Sequence, residues 1–201
     1  GLNRFDGISF KEYLHNDNDP TSIKSNIVRS MLNDKDGRLW IGYLNGIQLY
    51  DPMTDSFNNV SFDTLKETPN IAEIHQLSSG KIWVEVSMLG IYEIDPVTMS
   101  ARKVTRLGDL CGTENFLSIF EDNNRIWIST SDRGLICVDS ELTKVVGRYF
   151  QNRRNGFGGQ MAINKDNVLI LSYGGSIYMF DEVHKEFILM NQSQRQTIMA
   201  H

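Results

Sequence analysis

The sequence has little that would attract a polyanion or a membrane. It contains 20 Lys and Arg against 25 Asp and Glu, which gives a formal net charge of −5 at pH 7. Because nucleic-acid binding usually shows as a basic excess or stripe, no nucleic acid is expected as a partner. No stretch approaches the roughly 18 to 20 uninterrupted apolar residues of a membrane span, and the first residues lack a signal-peptide core. We therefore expect no direct membrane contact in this segment.

Cysteine and histidine are also sparse. Cys111 and Cys137 form no Cys-x-x-Cys pair, and Cys137 lies in an apolar strand pattern that suits a small buried hydrophobe. We expect no disulfide. A metal site needs several ligands brought together, whereas the histidines are scattered, so neither a metal site nor a cofactor is expected. The four histidines are His15, His75, His184 and His201.

Catalytic motifs are missing as well. The sequence has no Gly-x-Ser-x-Gly and no His-x-x-Glu-His, and no histidine stands in a motif context. Carboxylates are abundant, but most fall in turns, where capping of the backbone explains them. No catalytic residue is assigned, and the segment is expected not to be an enzyme. An enzymatic function would rest on analogy of fold alone.

What the sequence does contain is a repeat with two landmarks. A strand motif centred on Trp or Leu recurs at steps of 43, 44 and 42 residues. An aspartate follows each Trp or Leu by 11 or 12 residues. The motifs are Leu39-Trp40-Ile41-Gly42, Ile82-Trp83-Val84-Glu85, Ile126-Trp127-Ile128-Ser129 and Val168-Leu169-Ile170-Leu171, and the aspartates are Asp51, Asp95, Asp139 and Asp181.

Each unit has the alternation and turn residues of four short strands. In the first unit we predict strands over Asn26–Leu32, Arg38–Tyr43, Ile47–Tyr50 and Ser56–Phe62. Four antiparallel strands in about 43 residues are typical of a propeller blade. The fold is therefore predicted to be all-β, a partial β-propeller built from four-stranded antiparallel sheets. No helix is predicted anywhere.

The repeat sets the expected boundaries of the blades within a single partial propeller. Residues 1–15 would be the end of a blade and residues 191–201 the start of a further one. Because repeats cannot bury their faces alone, the chain is read as part of a larger propeller. Pairing of the two end fragments into one blade, or association of two chains through open edges, remains an alternative. The four blades between the fragments are 26–63, 70–105, 115–150 and 159–190.

Two sets of residues receive roles from their place in the repeat. The large side chain of the second strand is expected to fill the gap between neighbouring blades, and these side chains are Trp40, Trp83, Trp127 and Leu169. The loops after the second strand should share one face with the linkers between blades, and binding residues concentrate in such loops. The ligand-binding candidates, of types suited to sugar rings and hydroxyls, are Tyr43, Asn45, Asp132, Arg133, Arg153, Arg154 and Tyr173.

Residues 26–42 resemble the two-component regulator propeller repeat, whose typical form is N-x-V-x-x-I-x-x-D-x-x-G-x-L-W-I-G-T. Tyr43 replaces the usual Thr. Residues 115–130 are a second good match, with Asn124 at the turn glycine, and the other copies are degenerate.

The resemblance implies the periplasmic sensor region of a Bacteroidetes hybrid two-component system histidine kinase. Such a receptor would be anchored in the inner membrane, would dimerise, and would regulate glycan-utilisation genes in response to an oligosaccharide, through a kinase that this chain lacks. Two alternatives stay open: a propeller-type polysaccharide lyase or glycoside hydrolase, and a protein-interaction scaffold.

Overall fold

The computed structural model describes residues 1–122, 124–150, 160–163, 169–173 and 175–190. Within these residues the chain forms nineteen strands and one short helix. It divides into two compact units, Gly1–Thr105 and Arg106–His201. Over the same described ranges, no helix is both long and apolar enough to cross a membrane.

The first unit contains a hairpin and two larger sheets. The hairpin pairs β1 (Leu2–Phe5) with β2 (Phe10–Tyr13). A four-stranded sheet follows, made of β3 (Val28–Asn33), β4 (Leu39–Tyr43), β5 (Gly46–Asp51) and β6 (Ser56–Asn59). The next sheet has five strands, β7 (Ser61–Phe62), β8 (Ile71–Gln76), β9 (Ile82–Val86), β10 (Gly90–Asp95) and β11 (Ser100–Lys103).

The second unit contains two four-stranded sheets. Helix α1 (Thr105–Cys111) precedes them along the chain. The first sheet is β12 (Phe116–Asp122), β13 (Arg125–Thr130), β14 (Gly134–Asp139) and β15 (Val145–Tyr149). The second is β16 (Gln160–Ile163), β17 (Leu169–Tyr173), β18 (Ser176–Asp181) and β19 (Glu186–Leu189). Successive strands of these sheets pair antiparallel in sequence order, so the prediction of four-stranded antiparallel blades is confirmed.

The predicted strand Ser56–Phe62 is divided between two sheets. β6 ends at Asn59, and β7 pairs in parallel with β11 of the next sheet, with Ser61 opposite Ser100. The backbone N–H of Ser61 donates to the carbonyl oxygen of Met99 at 2.9 Å. The alternation of the segment is continuous, but the pairing partner of each half is set by tertiary structure. The single-strand prediction is therefore wrong here.

The prediction of no helix is also wrong, because α1 lies in the linker after β11. Leu107 and Cys111, four residues apart, are buried on one side of the helix. The helix ends in a glycine cap: the N–H of Gly112, at φ +73°, donates to the carbonyl oxygen of Gly108 at 2.8 Å. At seven residues, the helix is too short to show a clear helical period in the sequence.

The core of each unit forms around a fully buried tryptophan. Trp40 packs with apolar side chains of the neighbouring five-stranded sheet, including Ile71 and Val84. Gly42 allows this approach, since a Cβ added to it would lie 2.6 Å from Cγ2 of Ile71. In the second unit, Trp127 packs with a cluster from both sheets that includes Leu169. Trp83 is buried too, and its Nε1 donates to Glu93 Oε2 at 3.2 Å.

The landmark aspartates act as turn residues. The Asp51 carboxylate accepts the backbone N–H of Met53 at 2.9 Å, and Asp95 and Asp181 do the same for the residues two positions after them. Asp139 accepts the N–H groups of Thr143 and Lys144, both at 2.8 Å. The expectation that turn carboxylates cap the backbone is confirmed. Both cysteines are free and buried, and Cys137 belongs to the Trp127 cluster.

Candidate functional site

Tyr43 ends β4, and Asn45 lies in the turn between β4 and β5. Tyr43 is fully buried, and burial raises the pKa of its phenol. Its ring belongs to a core cluster that also contains Tyr13 and Phe57. Asn45 is half-buried, and its Nδ2 donates to the carbonyl oxygen of Lys24 at 3.2 Å. The Tyr43 ring therefore has no exposed face on which a ligand could stack, whereas Asn45 is partly accessible.

Asp132 and Arg133 occupy the corresponding turn, between β13 and β14. Both side chains are accessible, at 39% and 58% exposure. Asp132 Oδ1 accepts a hydrogen bond from Thr113 Oγ1 at 2.9 Å, and Arg133 Nε lies 3.6 Å from Asp132 Oδ2. The backbone N–H of Arg133 donates to Thr130 Oγ1 at 2.9 Å, which fixes the turn. The turn therefore presents a carboxylate and a guanidinium group side by side on the surface.

The three remaining candidates are less informative. Arg153 and Arg154 lie outside the described residues. Tyr173 ends β17, and its backbone pairs with Ser176 across the β17–β18 turn, while its side chain lies outside the described part. Tyr173 thus holds the same place in its sheet as Tyr43 holds in the first. Of the candidates, the structure brings together Asp132 and Arg133, which lie side by side in one turn.

Two surface depressions lie at the other end of the blades, beside the first-to-second and third-to-fourth strand turns. One, of about 470 Å³, includes Lys81 and Glu93, whose charged groups are 3.1 Å apart, together with Asp95 and Arg102. The other, of about 650 Å³, has the equivalent position in the preceding sheet and includes Asp36 and Arg38. In each depression oppositely charged side chains are already paired, Lys81 with Glu93 and Arg38 with Asp36, which favours a structural role.

Asp55 anchors the β1–β2 hairpin to the first four-stranded sheet. Its carboxylate accepts hydrogen bonds from the hydroxyls of Tyr13 at 2.6 Å and Tyr50 at 2.7 Å, and it pairs with Lys11. The hydrogen bonds from Lys11, Tyr13 and Tyr50 hold the pKa of Asp55 well below its usual range. A small depression of about 260 Å³ with mostly apolar walls lies beside this network. We conclude that this hydrogen-bond network holds the β1–β2 hairpin against the first four-stranded sheet.

A cluster that the sequence analysis missed lies on the β8–β9 strand pair. Glu73 is directly opposite Glu85 in this ladder, and His75 is opposite Trp83. Since side chains alternate along a strand, the two glutamates and His75 share one face. One potential ligand atom from each lies within 4.8 Å of the other two. Ile74 and Val84 point to the opposite face, into the Trp40 cluster.

The charged form of each buried group in this cluster is disfavoured. The Glu85 residue is only 3% exposed, and burial together with repulsion from Glu73 raises the pKa of its carboxyl to about 7. Burial lowers the pKa of His75 to about 4. Burial also raises the pKa of Glu73, whose side chain is 49% exposed. Among the described residues, no hydrogen-bond partner reaches Glu85 Oε2 or His75 Nε2.

One signal in the sequence could have exposed the cluster. Two residues after the blade tryptophan, the second repeat has Glu85, where the first repeat has Gly42 and the third has Ser129. A buried carboxylate at a position that otherwise carries a small residue departs from the packing pattern of the repeat. Its partners could not be named, because their proximity depends on the register of the strand pair.

Comparison with known proteins agrees with this architecture. The family model described as two component regulator propeller matches residues 22–45. No curated protein sequence matches the chain.

Similar solved structures include the extracellular domain assigned to the hybrid two component system BT3049 from B. thetaiotaomicron, with a TM-score of 0.67, 21% identity, and coverage of 92% of this chain and 25% of that one. The extracellular domain assigned to the one component system BT4673 of the same organism has a TM-score of 0.68 and 18% identity, covering 86% and 25%. A third similar structure is the computationally designed protein Ika8, with a TM-score of 0.53 and 10% identity. The match covers 83% of this chain and 50% of Ika8.

The chain thus spans a quarter of the length of the two bacterial domains. At these identities the structural likeness shows the fold, which is of propeller type. The family-model match falls on the first complete blade and its tryptophan motif, where the resemblance to the repeat was noted. The chain is a nearly all-β protein of propeller-type blades, and its residues 22–45 match the two-component regulator propeller repeat.

Proposed function

We propose that this chain is part of the ligand-sensing region of a hybrid two-component receptor and lies in the periplasm. The observation that carries the proposal is the match of residues 22–45 to the regulator propeller model. The likeness to extracellular domains assigned to two-component and one-component systems supports it. In this proposal the receptor is anchored in the inner membrane and dimerises, and its kinase lies outside this chain.

We propose further that the segment does not catalyse a reaction. Hydrogen bonds from the side chains of Thr54, Thr98, Thr143 and His184, and from backbone N–H groups, hold the pKa values of the four landmark aspartates below their usual range. A general acid or base works best with a pKa near the working pH, so these carboxyls are poorly suited to proton transfer at neutral pH. Their role in the turns accounts for them.

The proposed ligand is an oligosaccharide that contacts the turn after the second strand of a sheet. Carboxylate and guanidinium groups suit sugar hydroxyls, and the turn between β13 and β14 supplies both, in Asp132 and Arg133. Glycan binding to the purified chain, measured on a defined panel of oligosaccharides by calorimetry, tests the proposal. We expect Asp132→Ala and Arg133→Ala each to weaken binding.

The matched control is Glu141→Ala, since Glu141 is exposed in the turn at the other end of the same sheet. It should leave binding unchanged. Failure of every glycan to bind would contradict the carbohydrate part of the proposal. Turnover of a glycan would contradict the non-catalytic part and favour a lyase or hydrolase.

The signalling part has an independent test in the gene that encodes this chain. Reading its sequence on both sides should reveal further Trp-Ile-Gly blades, a membrane helix and a histidine kinase. A gene without a signalling module would contradict the receptor assignment, whatever the glycan panel shows.

A further inference from the structure

Three ionisable side chains in the five-stranded sheet occupy positions that are small or apolar in the equivalent sheets. In the three sheets that have a blade tryptophan, the same strand pair places three residues on one face: one opposite the tryptophan, and two that face each other one step further along. The trios are Leu32, Ser30 and Gly42 in the first sheet, His75, Glu73 and Glu85 in the second, and Phe120, Ser118 and Ser129 in the third.

The first and third sheets show what packing alone requires at these positions. In the third sheet, Ser118 and Ser129 hydrogen-bond each other through their hydroxyls at 2.7 Å. In the first, Ser30 Oγ accepts the backbone N–H of Ile74 at 3.2 Å. Small side chains thus satisfy the site without charge. The glutamates of the second sheet are not needed to complete a blade.

Left alone, the trio is unfavourable in three ways. Glu73 and Glu85 are like charges directly across a strand pair, an arrangement that destabilises a sheet. Glu85 is a buried carboxylate, and its Oε2 has no donor among the described residues. His75 Nε2 is buried as well, and it reaches only to 3.5 Å from Glu73 Oε2. Each of these three features would be relieved by one cation placed between the side chains.

We propose that Glu73, His75 and Glu85 bind a divalent transition-metal ion, with Zn²⁺ as the best fit. The set offers one imidazole nitrogen and two carboxylate oxygens, which are donor types that Zn²⁺ takes at about 2.0–2.2 Å. Ligand atoms around such an ion are about 3.4 Å apart, so a set within 4.8 Å needs only small side-chain rotations. Two carboxylates neutralise the charge of the ion.

The mixed donor set also discriminates among metals. Ca²⁺ takes six to eight oxygen ligands and Mg²⁺ keeps several waters in an octahedron, so an imidazole with two carboxylates suits neither. Imidazole donors suit Zn²⁺ and the neighbouring transition metals. The half-exposed Glu73 side chain gives the ion a path from solvent, while Glu85 and His75 hold the buried side. The fourth coordination position is left for water or another ligand.

The decisive variant is Glu85→Gln. It keeps the shape of the side chain and removes the buried charge, so the metal-free variant should fold, as circular dichroism would show. Calorimetric titration of the metal-free chain with Zn²⁺ should show one site, weakened by at least about a hundredfold in Glu85→Gln, since loss of even an outer-shell partner typically costs 10- to 100-fold. Zn²⁺ should raise Tm of the wild type and not of the variant.

His184→Ala is the matched control, because His184 Nδ1 lies 2.7 Å from Asp181 Oδ2 in an exposed turn that could attract Zn²⁺ on its own. This variant should bind Zn²⁺ like the wild type. Glu73→Gln should weaken binding even if Glu85→Gln fails to fold. Equal Zn²⁺ affinity in Glu85→Gln and wild type, loss of binding in His184→Ala, preference for Ca²⁺, or no Zn²⁺ binding at all would each overturn the proposal.

Discussion

Replacing Trp40 with Phe removes a single hydrogen-bond donor from the core of the first complete sheet. Trp40 Nε1 donates to Asp34 Oδ2 at 2.9 Å, and both side chains are wholly buried. The same carboxylate oxygen accepts Arg38 Nε at 2.7 Å, so Asp34 remains partnered when the indole is lost. The substitution therefore tests one buried, charge-assisted bond.

Trp127 supplies the matched control in the second unit. Its Nε1 has no hydrogen-bond partner among the described residues, although it is equally buried. An arginine lies over each indole, Arg38 at 5.9 Å and Arg125 at 5.2 Å from the ring centroid. The loss of ring volume and of the cation–π contact is thus similar in both variants. Their difference isolates the Trp40–Asp34 bond, which should be about 1.5–3 kcal/mol because the acceptor is charged.

Hydrogen exchange read by mass spectrometry is the suitable assay, because the chain has two compact units and exchange reports the stability of each. We expect Trp40→Phe to lower the opening free energy of β3 to β5 by about 1.5–3 kcal/mol more than Trp127→Phe lowers that of β12 to β14. In a cycle with Asp34→Ala, the two losses should be less than additive. Equal losses in the two Phe variants, or additivity within about 0.5 kcal/mol in the cycle, would refute the reasoning.

Three further predictions follow from single groups. Burial raises the pKa of both thiols, Cys111 and Cys137, to about 12. Iodoacetamide should therefore label neither thiol in the native chain at about pH 8 and both in urea, and labelling of the native chain would contradict this. Burial opposes the ionisation of Asp34, but the hydrogen bonds from Trp40 and Arg38 outweigh it and hold its pKa below 3.8. The ionised Asp34 therefore stabilises the fold above the unfolded pKa, and this stabilisation is lost as the pH falls through the folded pKa. The loss of unfolding free energy caused by Asp34→Asn, measured in urea, should shrink from about pH 6 to about pH 3. A loss that stays constant over this range would count against the prediction. Ser61→Pro removes the donor to the Met99 carbonyl and should cost about 1–3 kcal/mol in urea, more than Ser61→Ala; equal costs would show that the β7 pairing contributes nothing.

The blades could be predicted because their signals are local. Asp51 caps the turn two residues ahead of it, and Asp34 bonds the N–H of Arg38 and the indole of Trp40 within a span of seven residues. Such contacts form in one hairpin and repeat whenever the hairpin repeats. A pattern of turn residues and strand periods was therefore sufficient to place four sheets.

The errors in the predicted elements come from interactions that are not local. β7 continues the alternation of β6. It is assigned to the next sheet only by backbone hydrogen bonds, from the N–H of Ser61 to the Met99 carbonyl and from the N–H of Asp63 to the Ala101 carbonyl. In α1 the buried residues are Leu107, Gly108 and Cys111, and only two of them have a side chain, which is too few for a helical period. In both cases the local pattern allowed two structures and packing decided between them.

The candidate site residues divide in the same way. Asp132 and Arg133 follow from the turn position alone, and the structure leaves both on the surface. Tyr43 has the same turn position, but its ring packs into a core with Tyr13 and Phe57. Residue type and position in the blade do not determine which side chains of a turn face solvent, because the turn side chains pack against different neighbours.

The Glu73, His75 and Glu85 cluster stands out because one blade has ionisable residues where the equivalent positions of other blades have none. A search for motifs passes over it, since His75 is a lone histidine and Glu85 a lone acid in the sequence. The equivalent positions in the other sheets provide the reference state: the same backbone and the same tryptophan motif, with no charge. Against that reference, a buried carboxylate opposite a second carboxylate is a cost that packing does not explain. Where repeats share a scaffold, the residues that a blade does not need for folding are the first to test for a ligand.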